Sequence, residues 1–481
     1  MGGELDLVAR LLAYEKGRAV GIATHRIVAL QPDALVLCPL AMAGEDTTVH
    51  IIAVGRINRP PEIYCVPDPR VRDIQYELFV WLGTRIERHF EVCRLAGKYP
   101  QIWVSSGAVA DHLDTLADRL RYNRENAIVK RFGELLSYQT ERYPVAGQQA
   151  LITATSALRM HLATGQQPGE DEHLGALLAW IEPPRDTHIL DAVALAEKVS
   201  MGVKTDPEFD RGILEPRVSA YNGARRAGAG AAELRQRAGL IQQVLEPVVR
   251  TIYDGTQRAI RILSSMKLPP LSGLQNLDER ERDEFEAFMR SRDAGHHLPL
   301  RDKPKPAVFK LAAREDAADN YEAAVLCGDD FGRARARLAG RITYGKVENP
   351  RRTHLGPRLY RYEFDVVSRQ RVLHVRVRDE LAGLDDPRLR VSVANIHREG
   401  TVTRISLEIM HGKRSVGLPL AGTTLELTKV VPEWDRLIRT RGQLAKRLAV
   451  TPWTHEERDI PPVTRVRRPP RDPLAKIEEL R

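Results

Sequence analysis

The sequence predicts an α+β multidomain fold with a small N-terminal α/β domain, a helical middle and a C-terminal antiparallel β-barrel-like domain. Three observations carry this. The chain has 481 residues, more than one hydrophobic core usually supports. From about 126 to 268 its apolar residues recur at intervals of three and four. Beyond about 331 the period switches to two. Hydrophobic residues at 43% and charged residues at 28% describe a globular chain. They exclude collagen, chain-wide disorder and a disulfide scaffold.

The first domain is expected over 1–125. Leu5, Leu7, Val8, Leu11 and Leu12 predict a short amphipathic helix. Short β-branched runs follow at 19–30, 34–40 and 49–57, then EIYCV after Pro60-Pro61, and these predict a small sheet. Ile74, Leu78, Leu82, Ile86 and Phe90 recur every four residues, the stripe of a long helix. IWV at 102–104 reads as a strand, with Ser105 or Ser106 capping a helix over 108–121. A helical domain is expected over 126–268, jointed at Gly165, Pro168, Pro183-Pro184 and Gly202. Polar and proline-rich 269–308 predict a linker with one short helix. The segment 309–450 predicts a helix followed by a basic β-barrel-like domain built from six strand segments. These are RARLAGRITYG, LYRYEFDVVS, RVLHVRVRDEL, RLRVSVANI, VTRISLEIM and TTLELTKVV. The segment 451–481 is a basic, proline-rich tail.

Cys38, Cys65, Cys93 and Cys327 have no close spacing of the zinc or redox kind and sit among apolar neighbours, so free thiols in a reducing cytoplasm are expected. The N-terminus lacks the features of a secretory signal, and no run reaches the length of a membrane span. The chain is expected to be cytoplasmic, with no membrane partner.

The net charge of +9 is unevenly placed. Between Phe331 and Glu380, thirteen Lys and Arg face five Asp and Glu, a local surplus of +8. Read as strands, Arg333, Arg335 and Arg337 share one face, as do Arg376 and Arg378. Tyr344, Tyr360, Tyr362 and Phe364 supply aromatic rings. Arg341, Lys346, Arg351, Arg352 and Arg358 extend the basic set through the segment GKVENPRRTHLGPRL, and Lys413 and Arg414 form another patch. Such a set suits a phosphate backbone with stacked bases, an acidic protein surface, or plain solvation.

No motif completes an enzyme. There is no glycine-rich loop ending in Lys-Ser or Lys-Thr, no HExxH and no G-x-S-x-G. Glu170, Asp171, Glu172 and His173 cluster in sequence, and Asp329-Asp330, Asp385-Asp386 and Asp206/Glu208/Asp210 are the carboxylate fragments a metal-dependent nuclease would draw on. No cofactor or metal is expected.

In strand rhythm and basic first strands, 335–430 resembles the small β-barrel of several nucleic-acid helicases and single-strand-binding folds. The resemblance covers about a fifth of the chain and carries no signature residue or helicase core. It implies nucleic-acid contact. The leading expectation is a non-enzymatic nucleic-acid-associated adaptor, DNA- or RNA-binding through the C-terminal domain and protein-binding through the rest. The alternative is a structural subunit of a protein complex whose basic sheet docks an acidic partner.

Overall fold

The computed structural model describes residues 3–296, 302, 304–357, 359–412 and 416–432. The chain divides into two units, Met1–Leu300 with Arg314–Trp434, and Arg301–Ala313 with Asp435–Arg481. Within the second unit, Lys310 pairs with Asp302 at 2.9 Å.

The first unit begins with α1 (Glu4–Lys16), ended by Gly17 at φ 60°, where a side chain would be strained. After β1 (Val20–Gly21), three strands form an antiparallel meander: β2 (Leu35–Leu40), β3 (Ile51–Arg56) and β4 (Glu62–Cys65), with Leu37 opposite Val54 and Ala53 opposite Ile63. Helix α2 (Arg72–Leu95) returns the chain to β5 (Ile102–Val104), which lies parallel to β2 with Ile102 opposite Leu35. Helices α3 (Gly107–Leu120) and α4 (Ala127–Arg142) follow. Asn126 caps α4, its Oδ1 accepting from Ile128 and Val129. Strand β6 (Leu151–Thr153) adds parallel to β5, giving the order β4-β3-β2-β5-β6. After α5 (Ala154–Arg159), β7 (Leu162–Ala163) pairs with β1.

Both faces of this mixed sheet are covered, because successive strand residues point to opposite sides. Leu35 and Leu37 face a core with Leu78, Leu82, Ile86 and Phe90 of α2, Leu113 of α3 and Phe132 of α4. Val36, Cys38 and Leu40 face a second core. That core is supplied by the helical middle: α6 (Leu174–Ile181), behind which α7 (Ile189–Glu197) packs Ile189 and Val193 against Ala176 and Trp180, then α8 (Pro207–Phe209), α9 (Glu215–Arg226) and the 35-residue α10 (Ala231–Ser265). Ile241, Leu245, Val249 and Ile252 of α10 lie over the sheet. Tyr253 donates its hydroxyl to the carbonyls of Arg56 (3.2 Å) and Arg59 (2.8 Å). A Cβ on Gly55 would collide with that hydroxyl. Helix α11 (Leu274–Asp293) returns Phe285 and Met289 to the first core and sets the buried Glu281 against the half-buried Arg142.

Helices α12 (Pro304–Gly328) and α13 (Asp330–Leu338) lead to the C-terminal antiparallel sheet. Its strands are β8 (Ile342–Gly356), β9 (Leu359–Ser368), β10 (Glu380–Gly383), β11 (Arg390–Glu399), β12 (Val402–His411) and β13 (Thr424–Thr428), in the order β10-β11-β12-β9-β8-β13. Two residue pairs also join β13 to β10. Val347, Phe364, Val366, Leu381, Val391, Val393, Ile405, Leu407 and Leu427 form its core.

The expected fold class needs correction. The N-terminal mixed sheet, the helical middle and the C-terminal antiparallel sheet are present, but the middle is not separate from the first domain: it supplies β6 and the layer over one sheet face. Two of the six expected strand segments, and the helicase-like resemblance resting on the basic first of them, do not stand. Arg333–Arg337, read as that strand, lie in α13, and the RVLHVRVRDEL segment is loop as far as Asp379. Asp329 nucleates α13 by accepting from the Gly332 amide at 2.8 Å, and Gly340 at φ 72° follows its end. Arg and Ala are both strong helix formers, so capping decides against the two-residue alternation. No helix among the described residues is long and apolar enough to cross a membrane.

Candidate docking surface

The helical geometry of α13 scatters the first arginines. At 100° per residue, Arg333 and Arg337 share one side and Arg335 takes the other. Arg333 and Arg337 both pair with the buried Glu426 of β13, and Arg333 reaches Asp385 at 2.5 Å as well. Arg335 turns to Asp6 of α1. Arg341 pairs with Glu322 of α12. These four residues tie elements together and leave no common cationic face. Arg376 and Arg378 are exposed in a loop, Arg378 at φ 75° with its amide bound to the Val393 carbonyl at 2.8 Å. The expected stripe therefore does not form. The DNA- and RNA-binding reading, so far as it rests on that stripe, loses its geometric premise with it.

What remains is the hairpin of β8 and β9. Its outer part pairs Arg351 with Glu363, Arg352 with Tyr362, Thr353 with Arg361 and His354 with Tyr360. The pairing of β9 with β12 extends only from Glu363 to Ser368, so the outer residues of β9 have β8 as their ladder partner. Arg351, Arg352, Thr353, His354, Leu355 and Arg361 are exposed. The Arg352 guanidinium stacks over the Tyr360 ring at 3.7 Å and lies 5.6 Å from the Tyr362 centroid. The His354 ring is 5.1 Å from Tyr360. Arg351 meets Glu363 at 3.2 Å and Arg361 meets Glu408 at 3.5 Å. Arg352 pairs with no carboxylate among the described residues, and Lys346, exposed nearer the base of β8, pairs with none either. Arg358, Lys413 and Arg414 lie outside the described residues.

The candidate chemistry elsewhere resolves into structure. Asp171 is buried and binds Arg10 (2.8 Å), Thr164 (2.5 Å) and Gln166 (3.0 Å), while Glu172 pairs with Arg159, and His173 caps α6. Asp206 caps α8, and Asp210 accepts from Thr205 and the Ala43 amide. Asp386 holds its own turn through Arg388, and Asp329 binds the amides of Thr24, His25 and Gly332. No group of three or more His, Cys, Asp and Glu able to hold a metal occurs among the described residues. Ser105 Oγ and His112 Nε2 are each buried without a hydrogen-bond partner, so no serine–histidine bond joins them. Burial pushes the thiols of Cys38, Cys65 and Cys93 up to about 12, the opposite of an activated thiolate.

The sequence marks the Arg351–Arg352 segment as basic without marking it as strand. The ladder continuing to Gly356 and Leu359, and the stack of Arg352 on Tyr360, were missed. A signal for both was the positional symmetry of Arg352 and Tyr362 about the Gly356-Pro357 turn. No protein-family model, curated protein or solved structure matches this chain.

Proposed function

We propose that the protein is a non-enzymatic structural subunit of a protein complex, working in the cytoplasm, that docks an acidic segment of a partner protein on the β8–β9 hairpin. The observation that carries this reading is the stacked Arg352, which has no carboxylate partner among the described residues, beside Arg351, His354 and Arg361 on an exposed two-stranded arm. Stacking on tyrosine holds a guanidinium in place, so less side-chain entropy is lost when a carboxylate arrives. The outer part of β9 also offers backbone groups to an extended peptide, which can add as a strand. An acidic peptide meets both demands, with alternate carboxylates reaching the arginines. The four free cysteines favour a reducing compartment.

The test is fluorescence anisotropy of labelled acidic peptides on the full chain, beside labelled DNA and RNA at low and high salt. Saturable peptide binding is expected, weakened at least tenfold by Arg352→Ala and by Tyr360→Ala, with unchanged melting temperatures. Binding indifferent to both variants would remove the hairpin from consideration. Tight, salt-steep nucleic-acid binding without peptide binding would overturn the reading altogether.

A further inference from the structure

A cleft of about 840 Å³ opens between α1, α5, α12 and α13, within the roughly 300–1,000 Å³ that small-molecule sites occupy. Ile22, Ile27, Val325, Leu326 and Phe331 give it apolar walls, and Arg10, Arg159, Arg335 and Arg341 reach it from four segments of the chain. The acids on the same wall are Asp6, Glu322 and Asp329. Asp6 pairs with Arg335 and Glu322 with Arg341, while Asp329 is engaged by the amides of Thr24, His25 and Gly332. Arg10 and Arg159 pair with Asp171 and Glu172, which stand outside the cleft wall. The lining is therefore weakly cationic. Arg335 gives Asp6 one amino group and keeps 42% of its side chain exposed, so its remaining donors can be reached. Phe331, 5.4 Å from the guanidinium, steadies it.

A second cavity, of about 260 Å³, adjoins the first. Val28, Val145, Leu151, Ile152 and Ala157 line it, and no charged residue does. Ile27, Ser156, Met160 and Tyr321 line both cavities and form their shared wall. Across that wall the Tyr321 hydroxyl donates to the Met160 Sδ at 3.2 Å. The tyrosine ring packs so closely on Gly147 that a Cβ there would collide with it. Met160 is the part that can yield, because its side chain is unbranched and a thioether accepts only a weak hydrogen bond.

Polarity thus changes in one direction, from arginines around the outer chamber to an uncharged inner one. A single anionic head with an unbranched apolar tail matches this path end for end. A nucleotide or a peptide would carry polar groups into the inner chamber, where leaving them unpaired is costly. We propose that the two chambers together bind a medium-chain monocarboxylate, its carboxylate on Arg335 and its tail passing Met160. The site shares no residue with the β8–β9 hairpin, so this proposal and the docking reading fail separately.

Isothermal titration calorimetry of the full chain with decanoate, decanol and butyrate tests it. One decanoate per chain is expected, with a dissociation constant on the order of 10 μM. Decanol, which lacks the charge, should bind at least tenfold more weakly. Butyrate, which lacks the tail, should bind at least a hundredfold more weakly. Arg335→Gln should weaken decanoate at least tenfold and leave decanol unchanged, a split that a general loss of structure would not produce. Ser156→Phe, which fills the space at the shared wall, should weaken both at least tenfold. Should either variant fail to fold, the three ligands on the unaltered chain still decide. Equal binding of decanoate and decanol would overturn the carboxylate site, and equal binding of butyrate and decanoate would overturn the inner chamber. No decanoate binding up to about 1 mM would overturn the whole proposal, as would unsaturable uptake or binding untouched by both variants.

Discussion

Replacing Glu426 by glutamine is the most informative single change in the C-terminal region. Its carboxylate is buried on β13 and receives both Arg333 and Arg337 of α13. At about 3 Å and an effective dielectric near 20, each contact is worth on the order of 5 kcal/mol of Coulomb energy before desolvation is subtracted. Breaking a buried pair from one side typically costs about 3–5 kcal/mol, because the other charge is left unpaired. Arg337 is 39% exposed and Arg333 keeps Asp385 as a second partner, so water and Asp385 recover part of the loss. The expected destabilisation is about 2 kcal/mol. It should be read by urea unfolding of the C-terminal sheet, followed by near-ultraviolet circular dichroism. Arg333→Ala is expected to be non-additive with Glu426→Gln, leaving a coupling of about 1 kcal/mol or more in the double-mutant cycle. Additive effects, or a variant as stable as the parent, would refute the assignment of these arginines to packing α13 on the sheet.

Three further outcomes follow from the two-layered N-terminal sheet. Burial holds His50 and His89 down to about 4, outweighing the opposing pull of Asp68 on His50 and of the Gln101 backbone on His89. The unfolded chain therefore takes up protons below about 6.5 that the folded chain refuses, and stability is expected to fall as pH drops from about 6.5 toward 4. The loss is about 2 kcal/mol per histidine by pH 5, and a His50→Gln variant with an unchanged pH slope in urea unfolding would contradict it. Gly133→Ala should destabilise by about 2–3 kcal/mol, because its Cβ would run into the backbone at Leu120 and Arg121 where α4 crosses the end of α3; chemical denaturation reads it. Cys38 and Cys93 are fully shielded, so a disulfide reagent at pH 8 should leave both thiols unreacted in the native chain and modify them on denaturation.

The legibility of this fold in its sequence was uneven for identifiable reasons. The four-residue stripe of α2 and the β-branched runs of β2 and β3 were plain, because one periodicity dominated each. The helix α13 was concealed by an Arg-Ala alternation that mimics a strand. Its true signals were local: Asp329 before it, basic residues in its last turn and Gly340 after it. The segment expected to be a linker with a short helix carries the 20-residue α11, whose apolar residues are diluted by the run DERERDEFE although Phe285 and Met289 are fully buried. The outward mounting of α1, with Leu7, Val8 and Leu11 exposed, was not readable, since periodicity reveals that a helix has an apolar side and not which way that side is turned. Of the candidate site, the exposed arginines of the hairpin were visible as a cluster, while the fate of Arg333, Arg335, Arg337 and Arg341 depended on acids at positions 6, 322, 385 and 426 that only the tertiary fold brings to them.

The position of α10 in the chain shapes how the protein is made. Strands β2, β3 and β4 are complete by Cys65, yet the helix that covers their second face ends at Ser265. Roughly 200 residues must leave the ribosome between these events, some 10–40 s at about 5–20 residues per second. For that interval Val36, Cys38, Leu40 and Ile51 have no α10 to pack against. The nascent chain thus carries a sticky β-surface for much of its synthesis, and a truncation anywhere before Ala231 yields a fragment that aggregates or stays bound to chaperones.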